Sequence, residues 1–259
     1  MSQFNECINL SKIASFSSLL EISFRKPGNA NPWGDSSISF REAVSSALKI
    51  KEAAREICFN VNPFKAIYNY VKLGGKLIGT VMLQFPLIKS LSCCKSIKPF
   101  IENTIEEAKY LYSAIKLLNP SHLGKYEGKI PDINEEPKLP LMEVLMESSY
   151  MDLVSFELVY NYPLSVECAG RINLSNLEGS AIREYLRLMS VIPDSLIAKK
   201  FSMLHAESIR ALFRLLNREE IDFPLLKTFD SILKDLSLNP GSIADIIANC
   251  IFIKLALNL

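Results

Sequence analysis

Apolar residues recur every three or four positions along almost the whole chain, whereas the alternating pattern of a half-buried strand is scarce. Spacing of this kind places the apolar side chains on one face of an α-helix. A chain of 259 residues is also long enough to bury most of its apolar surface in one core. The sequence therefore predicts an all-helical (all-α) fold, a single-domain orthogonal bundle of about ten helices over residues 1–259.

Helix starts and ends support this prediction. Ser39 and Glu42 stand three residues apart ahead of an apolar stripe, which is the spacing of a capping box. Asn62 followed by Pro63 is typical of a helix start, because asparagine caps well and proline fits the first helical turn. We expect a kink or a break at Pro86. Further helices are predicted at about 101–118, 141–160, 180–192, 195–216, 223–236 and 240–257, with one long irregular segment from Asn119 to Pro140.

Charge and cysteine usage narrow the class of protein. The 29 basic and 28 acidic residues nearly balance, and no Lys/Arg block marks a nucleic-acid or membrane partner. The N-terminus lacks a signal-peptide pattern, so we expect a cytoplasmic protein. None of the six cysteines forms a C-x-x-C pair, which favours buried thiols in a reducing compartment over zinc or dithiol sites.

The stretch around K-P-G-N combines turn formers with chemically active side chains. Pro27 and Gly28 fit the two central positions of a type II turn, in which glycine supplies the positive φ. A turn between helices accounts for these two residues. The alternative is a site for a phosphate and its Mg²⁺, because Mg²⁺ prefers one or two carboxylates together with phosphate oxygens. The side chains that such a site would use are Glu21, Ser23, Lys26, Asn29 and Asp35.

Three further positions each allow a structural or a functional interpretation. Asn239 ahead of Pro240 is an ordinary helix start, or its exposed N–H groups form an anion site, with Asp245 one turn further on. Lys199 and Lys200 form a solvated face or a phosphate clamp. His205 is interpreted as structural, and the role of His122 stays open.

Four stretches together resemble the triphosphoribosyl-dephospho-coenzyme A synthase family, in the shorter form found in archaea. The first, L-L-E-I-S-F-R-K-P-G-N, resembles the family's E-x-S-x-x-P-K-P-G-N. The other three are L-L-N-P-S-H-L-G-K (117–125), P-D-S-L-I-A-K-K (193–200) and L-N-P-G-S-I-A-D (238–245). They occur in the expected order and span nearly the whole chain. The resemblance implies an all-helical fold, which agrees with the periodicity.

The resemblance implies a glycosyl transfer. The 2′-hydroxyl of dephospho-coenzyme A attacks the ribose C1′ of ATP, adenine leaves, and the triphosphate stays on the transferred sugar. By this hypothesis ATP and dephospho-CoA, or a related hydroxyl acceptor, are the substrates and Mg²⁺ accompanies ATP. Phosphates would be held by Lys26, Lys199 and Lys200, and hydroxyls by Asn29 and Asn239, with Ser23 and Ser242 also binding substrate. The catalytic and metal-binding carboxylates would be Glu21, Asp35 and Asp245.

The chain departs from the family pattern at three places. Relatives tend to carry N-T-x-L-G where this chain has Gly75 and Lys76 before Leu77. A histidine tends to follow the paired basic residues of the P-D motif, where this chain has Phe201. Trp33-Gly34 also occupies the region where a histidine is expected after K-P-G-N. Two alternatives to the transferase therefore stay open: a non-catalytic helical homologue that binds a nucleotide, small molecule or protein, and a purely structural helical domain.

Overall fold

The computed structural model describes residues 2–119, 132–217 and 220–258, and within these ranges the chain is all-helical. The described part contains thirteen α-helices, one short 3-10 helix and no strand. The predicted fold class is therefore confirmed. The described chain divides into two compact units, the first made of residues up to Phe16 with Ser45–Pro163, and the second of Ser17–Val44 with Leu164–Leu259. The single domain over 1–259 stays a prediction.

Two long helices contribute to both units, because the division falls inside each of them. These are α1 (Gln3–Ser23) and α2 (Phe40–Cys58). The first unit continues with α3 (Pro63–Lys72), α4 (Ile78–Cys94), α5 (Ile105–Leu118), α6 (Leu141–Ser148) and α7 (Leu153–Val159). Its core consists of fully buried side chains that include Phe64, Tyr70 and Phe85.

The second unit holds the remaining helices and the loop that joins α1 to α2. The helices are α8 (Pro163–Arg171), the 3-10 helix (Leu174–Asn176), α9 (Leu177–Val191), α10 (Ser195–Lys200), α11 (Met203–Leu216), α12 (Phe223–Asp235) and α13 (Gly241–Ala256). Helix α13 is buried along most of its length. In the part of the chain that is described, no helix is both long and apolar enough to cross a membrane.

The local capping predictions are confirmed. The Glu42 backbone N–H donates to Ser39 Oγ, and the Ser39 N–H donates to Glu42 Oε2, which completes the capping box. Asn62 caps α3 by accepting from the Phe64 N–H, with Pro63 in the first turn. Helix α4 continues through Pro86, so of the predicted kink or break the break is wrong and the kink stays a prediction.

Two long predicted helices are each divided in the structure. The predicted helix over 141–160 is interrupted before Asp152, whose side chain accepts from the Ser155 N–H and starts α7. The predicted helix over 195–216 is interrupted in the same way at Ser202, which accepts from the His205 N–H and starts α11. Helix α8 lies between predicted helices and was missed. His122 and the other residues of 120–125 in the 117–125 motif lie outside the described residues.

The prediction of free cysteine thiols is wrong. Disulfides join Cys7 to Cys58, Cys93 to Cys94, and Cys168 to Cys250, and none of the described cysteines is free. Two of these bonds connect positions 51 and 82 residues apart, with Cα atoms 5.5 and 5.7 Å from each other. Separation along the chain does not reveal such neighbours, because helix packing brings them together.

The departure from the family pattern at Gly75 has a packing cause in the first unit. A Cβ added to Gly75 would lie 2.2 Å from Tyr70 Cζ, so the buried tyrosine ring fills the space that a side chain at 75 would need. The Tyr70 hydroxyl donates to the Ser46 carbonyl and accepts from the Leu77 N–H. The Lys76 N–H donates to Ser46 Oγ. Tyr70 and Ser46 therefore hold the segment in which relatives carry their polar pair.

Candidate active site in the second unit

The K-P-G-N segment forms the predicted turn. Gly28 has a φ of 86°, which is the left-handed conformation that the third position of a type II turn requires. The turn has little regular structure around it, apart from an isolated bridge between Asn31 and Gly34. Its shape therefore depends on contacts with other parts of the second unit.

Asp230, on α12, anchors this loop. Its Oδ1 accepts from the Gly28 N–H at 2.9 Å and from Asn31 Nδ2 at 2.9 Å, and the carboxylate is 4% exposed. Its Oδ2 accepts from Lys234 Nζ at 2.8 Å, and Lys234 also donates to the Gly34 carbonyl. One buried acid and one lysine on the same helix face thus hold the loop at Gly28, Asn31 and Gly34.

A second anchor comes from α9. The Tyr185 hydroxyl donates to the Pro27 carbonyl at 2.6 Å, and the tyrosine is fully buried. Burial raises the pKa of this hydroxyl well above its ordinary value, and the charges of Asp194, Glu21 and Asp230 raise it further. Tyr185 therefore keeps its proton and serves as a fixed donor to the turn.

Glu21 and Lys26 form a buried ion pair. Lys26 Nζ lies 2.8 Å from Glu21 Oε1, and the two side chains are 1% and 7% exposed. Neither of these two atoms makes a hydrogen bond to another group in the described ranges. Burial raises the pKa of the Glu21 carboxyl, and the Lys26 charge opposes that shift. In this arrangement each of the two predicted site residues binds the other and not a ligand.

Helix α13 begins at Gly241, one residue later than predicted, and Pro240 is its N-cap. The Gly241 N–H donates to the Asn239 carbonyl, and the Ile243 N–H donates to Asp194 Oδ2 at 2.9 Å. An internal carboxylate therefore occupies part of the helix start that the sequence suggests as an anion site. Asn239 Nδ2 donates to Ser37 Oγ, whereas its buried Oδ1 has no hydrogen-bond partner in the described part of the chain.

Asp194 joins this helix start to the segment that carries the paired lysines. Its Oδ1 accepts from the Leu196 and Ile197 N–H groups at 2.9 and 3.1 Å and so caps α10, while its Oδ2 binds α13. Ser195 Oγ donates to Ser242 Oγ at 2.8 Å alongside it. The hydrogen bond from the Ile243 N–H to Asp194 and the bond between Ser195 and Ser242 therefore connect the P-D and N-P-G segments.

Two glycines allow the motif segments to approach closely. A Cβ on Gly28 would lie 2.8 Å from Pro240 Cδ, and a Cβ on Gly241 would lie 2.6 Å from Leu196 Cδ2. Gly28 and Pro240 come from the first and last motifs, and Leu196 comes from the third. The second unit therefore brings three of the four motif segments together at the start of α13.

The other predicted site residues lie on the same segments with different exposure. Ser23 is exposed and donates to the Leu19 carbonyl, and the exposed Asp35 accepts from the Phe40 N–H. Asn29 Oδ1 accepts from the Ala30 N–H. The remaining four are the exposed Lys199, the half-buried Lys200 and Asp245, and the buried Ser242. Burial lowers the pKa of Lys200, and the charge of Asp194 opposes that shift.

The predicted carboxylate ligands are not gathered into a metal site. Within the described ranges, no group of three histidine, cysteine, aspartate or glutamate side chains is arranged to hold a metal ion. Mg²⁺ needs only one or two carboxylates when phosphate oxygens supply its other ligands. A metal that binds together with a polyphosphate does not require such a group of side chains, and Mg²⁺ stays a prediction.

Replacing Gly28 with alanine is expected to lower the free energy of unfolding by about 2–3 kcal/mol. The positive φ disfavours an L side chain, and the added methyl would overlap Leu233 and Pro240 at 2.8 Å. Urea denaturation measures the effect. Gly170→Ala is the matched control in the same unit, because a Cβ there meets nothing within 4 Å. A Gly28→Ala protein as stable as the control would contradict the close approach.

The buried Asp194 carboxyl should make the stability of the protein depend on pH. Burial raises the pKa of its carboxyl to about 6, against hydrogen bonds from three backbone N–H groups that lower it. The folded protein therefore binds the proton more tightly than the unfolded chain, and the stability from this group is lost as the pH rises from about 4 through about 6. Wild type should lose stability relative to Asp194→Asn across that window. A difference in unfolding free energy that is constant with pH would contradict the prediction.

The anchoring residues were not predicted as part of the site. Asp194 stands inside the 193–200 motif, and its bond to the Ile243 N–H spans 49 residues. Tyr185, Asp230 and Lys234 stand outside every motif, and they reach the loop across 158 to 203 residues. For Asp230 and Lys234, the only signal in the sequence was their i,i+4 spacing, which is typical of a charged pair on one helix face.

Comparison with known proteins identifies the family of this chain and a solved structure with a similar fold. The CitG family model, described as ATP:dephospho-CoA triphosphoribosyl transferase, matches residues 7–259. The chain therefore belongs to the CitG family of transferases. Its fold is similar to the crystal structure of an Archaeoglobus fulgidus protein described as a candidate triphosphoribosyl-dephospho-CoA synthase. The TM-score is 0.64 at 21% sequence identity, over 83% of this chain and 97% of that one. A comparison with curated proteins found no significant match.

Proposed function

We propose that this protein moves the triphosphoribosyl group of ATP to a hydroxyl of dephospho-CoA or a related alcohol and releases adenine. Family membership over residues 7–259 supports this reaction. The observation that carries it here is the meeting of three motif segments at the start of α13, where Gly28 approaches Pro240 and Asp194 binds the Ile243 N–H. A short archaeal type and a cytoplasmic location stay predictions.

The reaction exchanges one bond at the ribose C1′. The bond from C1′ to adenine breaks, a bond from the acceptor oxygen to C1′ forms, and the hydroxyl proton passes to a base. Positive charge develops at C1′ in the transition state, so nearby carboxylates stabilise it and a base assists the attack. Cations must hold the triphosphate at the same time.

Each candidate side chain has a role in this scheme. Lys199 and Lys200 bind phosphate oxygens, and Asn29 and Asn239 position hydroxyls. Asn239 Oδ1 suits that role, because a buried acceptor without a hydrogen-bond partner in the described ranges favours a hydroxyl donor. Ser23 and Ser242 are the proposed hydroxyl contacts to substrate.

Lys26 and Glu21 can act on substrate only if their ion pair opens. Lys26 would then bind a phosphate, and Glu21 would join Asp35 and Asp245 as a carboxylate for the developing positive charge or for a metal. Mg²⁺ bound with ATP would neutralise phosphate charge. The carboxylates of this chain would complete the ligands that the phosphates leave open.

The test is to incubate the protein with ATP, Mg²⁺ and dephospho-CoA and to measure free adenine and the triphosphoribosyl adduct by mass spectrometry. Asp245→Asn and the double variant Lys199→Ala/Lys200→Ala should lower the rate by about a hundredfold or more, as expected for charges that act in the transition state. Lys227→Ala, an exposed lysine on α12, is the matched control and should leave the rate unchanged.

Each outcome has a definite meaning. Adenine without the adduct would show that the transfer goes to a different acceptor, and other alcohols would then be screened. Neither product from the wild-type protein would contradict the transferase and favour the non-catalytic homologue. If Asp245→Asn and Lys199→Ala/Lys200→Ala both react at the wild-type rate, the active site does not lie at the start of α13.

A further inference from the structure

We infer that Asp194 is a positioning residue that holds the paired lysines and the start of α13 in one fixed arrangement for binding the triphosphate. This inference rests on the proposed function, since it concerns the same substrate. It goes beyond the family's activity because it assigns a role to a residue that is 1% exposed and bonded to two helix starts.

The hydrogen bonds of Asp194 divide between two helices. One oxygen accepts from the Leu196 and Ile197 N–H groups of α10, and the other accepts from the Ile243 N–H of α13. A helix cap needs only one oxygen, as Asp222 shows when its Oδ1 accepts from the Leu225 N–H of α12. The second oxygen of Asp194 therefore performs a separate task, which is to fix α10 against α13.

The charge of Asp194 also reaches the lysines that the proposal assigns to the phosphates. Lys199 and Lys200 both lie close enough to interact electrostatically with its carboxylate. Asp194 thus opposes the burial that would weaken the charge of Lys200, while its hydrogen bonds set where α10 begins. The charge of Asp194 also acts on the buried Tyr185 hydroxyl, whose pKa it raises.

The serine pair reinforces the same connection. Ser195 Oγ donates to Ser242 Oγ across the two helix starts, and both serines are buried. Gly241 allows the approach, because any side chain there would meet Leu196. Loss of the second oxygen of Asp194 should therefore loosen the spacing between the lysines and Ser242 rather than unfold α10.

The experiment compares Asp194→Asn with the matched cap variant Asp222→Asn. Binding of inorganic tripolyphosphate is measured by calorimetry, and transfer kinetics are measured with ATP and dephospho-CoA. Asp194→Asn should weaken tripolyphosphate binding about tenfold, the loss expected when an amide nitrogen replaces one acceptor oxygen and a charge-assisted hydrogen bond is lost. It should raise KM for ATP by a similar factor and leave KM for dephospho-CoA unchanged. Asp222→Asn should change none of these.

Wild-type binding and KM values in a folded Asp194→Asn protein would overturn the inference, even if the transfer reaction is confirmed. Should Asp194→Asn fail to fold, Ser195→Ala removes the serine bond alone, and unchanged tripolyphosphate binding in that variant would overturn the inference as well. A wild-type protein that binds no tripolyphosphate would also overturn it. Wild-type protein that binds tripolyphosphate but transfers nothing would contradict the proposed function alone, and the comparison of variants would still test Asp194.

Discussion

Removing either member of the Glu21–Lys26 pair is expected to lower the free energy of unfolding by about 3–5 kcal/mol, because a charge buried without its partner is strongly unfavourable. The pair is 2.8 Å apart and almost inaccessible to solvent. Glu21→Gln and Lys26→Met test the two sides by urea denaturation. Both variants should unfold at clearly lower denaturant concentration than wild type.

The double variant Glu21→Leu/Lys26→Met separates charge from packing. Replacing a buried ion pair by apolar side chains of similar volume is often neutral or stabilising, so the double variant should recover most of the loss. Arg171→Gln is the control, since its pair with Glu167 is exposed on α8 and should contribute less than about 1 kcal/mol. Small losses in both single variants would show that the pair opens readily, which would make Lys26 accessible to a phosphate.

Asp230→Ala is expected to be as damaging, with a loss of about 3–5 kcal/mol. It would leave the Gly28 N–H and Asn31 Nδ2 without their shared acceptor and would remove the partner of Lys234. The effect should be concentrated in the loop between α1 and α2. Amide hydrogen exchange at Gly28 should therefore become faster together with the change in stability.

Asp235→Ala on the same helix provides the control for Asp230→Ala. Asp235 is exposed near the end of α12, and its loss should change the stability by no more than about 0.5 kcal/mol. Asp230→Asn should fall between the two, because the amide oxygen can still accept while the charge next to Lys234 is lost. Unchanged exchange at Gly28 in Asp230→Ala would show that Tyr185 alone holds the turn.

The sequence predicted those features that depend on neighbours along the chain. The capping box of Ser39 and Glu42 and the helix start at Asn62 follow from groups two or three residues apart. The positive φ at Gly28 follows from the turn chemistry of a few residues. The divided helices were missed because Asp152 and Ser202 are compatible with a helix interior until their side chains cap a new one.

The residues that hold the candidate site in place could not be predicted from neighbours along the chain. Asp230 and Tyr185 contact the K-P-G-N turn across 202 and 158 residues, and no local pattern encodes contacts at that distance. The Glu21–Lys26 pair could have been predicted from the sequence, since its members stand only five positions apart. It was missed because both side chains were assigned to a ligand rather than to each other.

The tyrosine ring against Gly75 limits how this chain could be altered towards the polar pattern of its relatives. Asparagine at position 75 does not fit while Tyr70 keeps its ring, and trimming Tyr70 takes away the hydroxyl that accepts from the Leu77 N–H. Positions 70 and 75 must therefore change in concert, and a third change must supply a new acceptor for residue 77. A substitution at only one of these positions would therefore disrupt the start of α4.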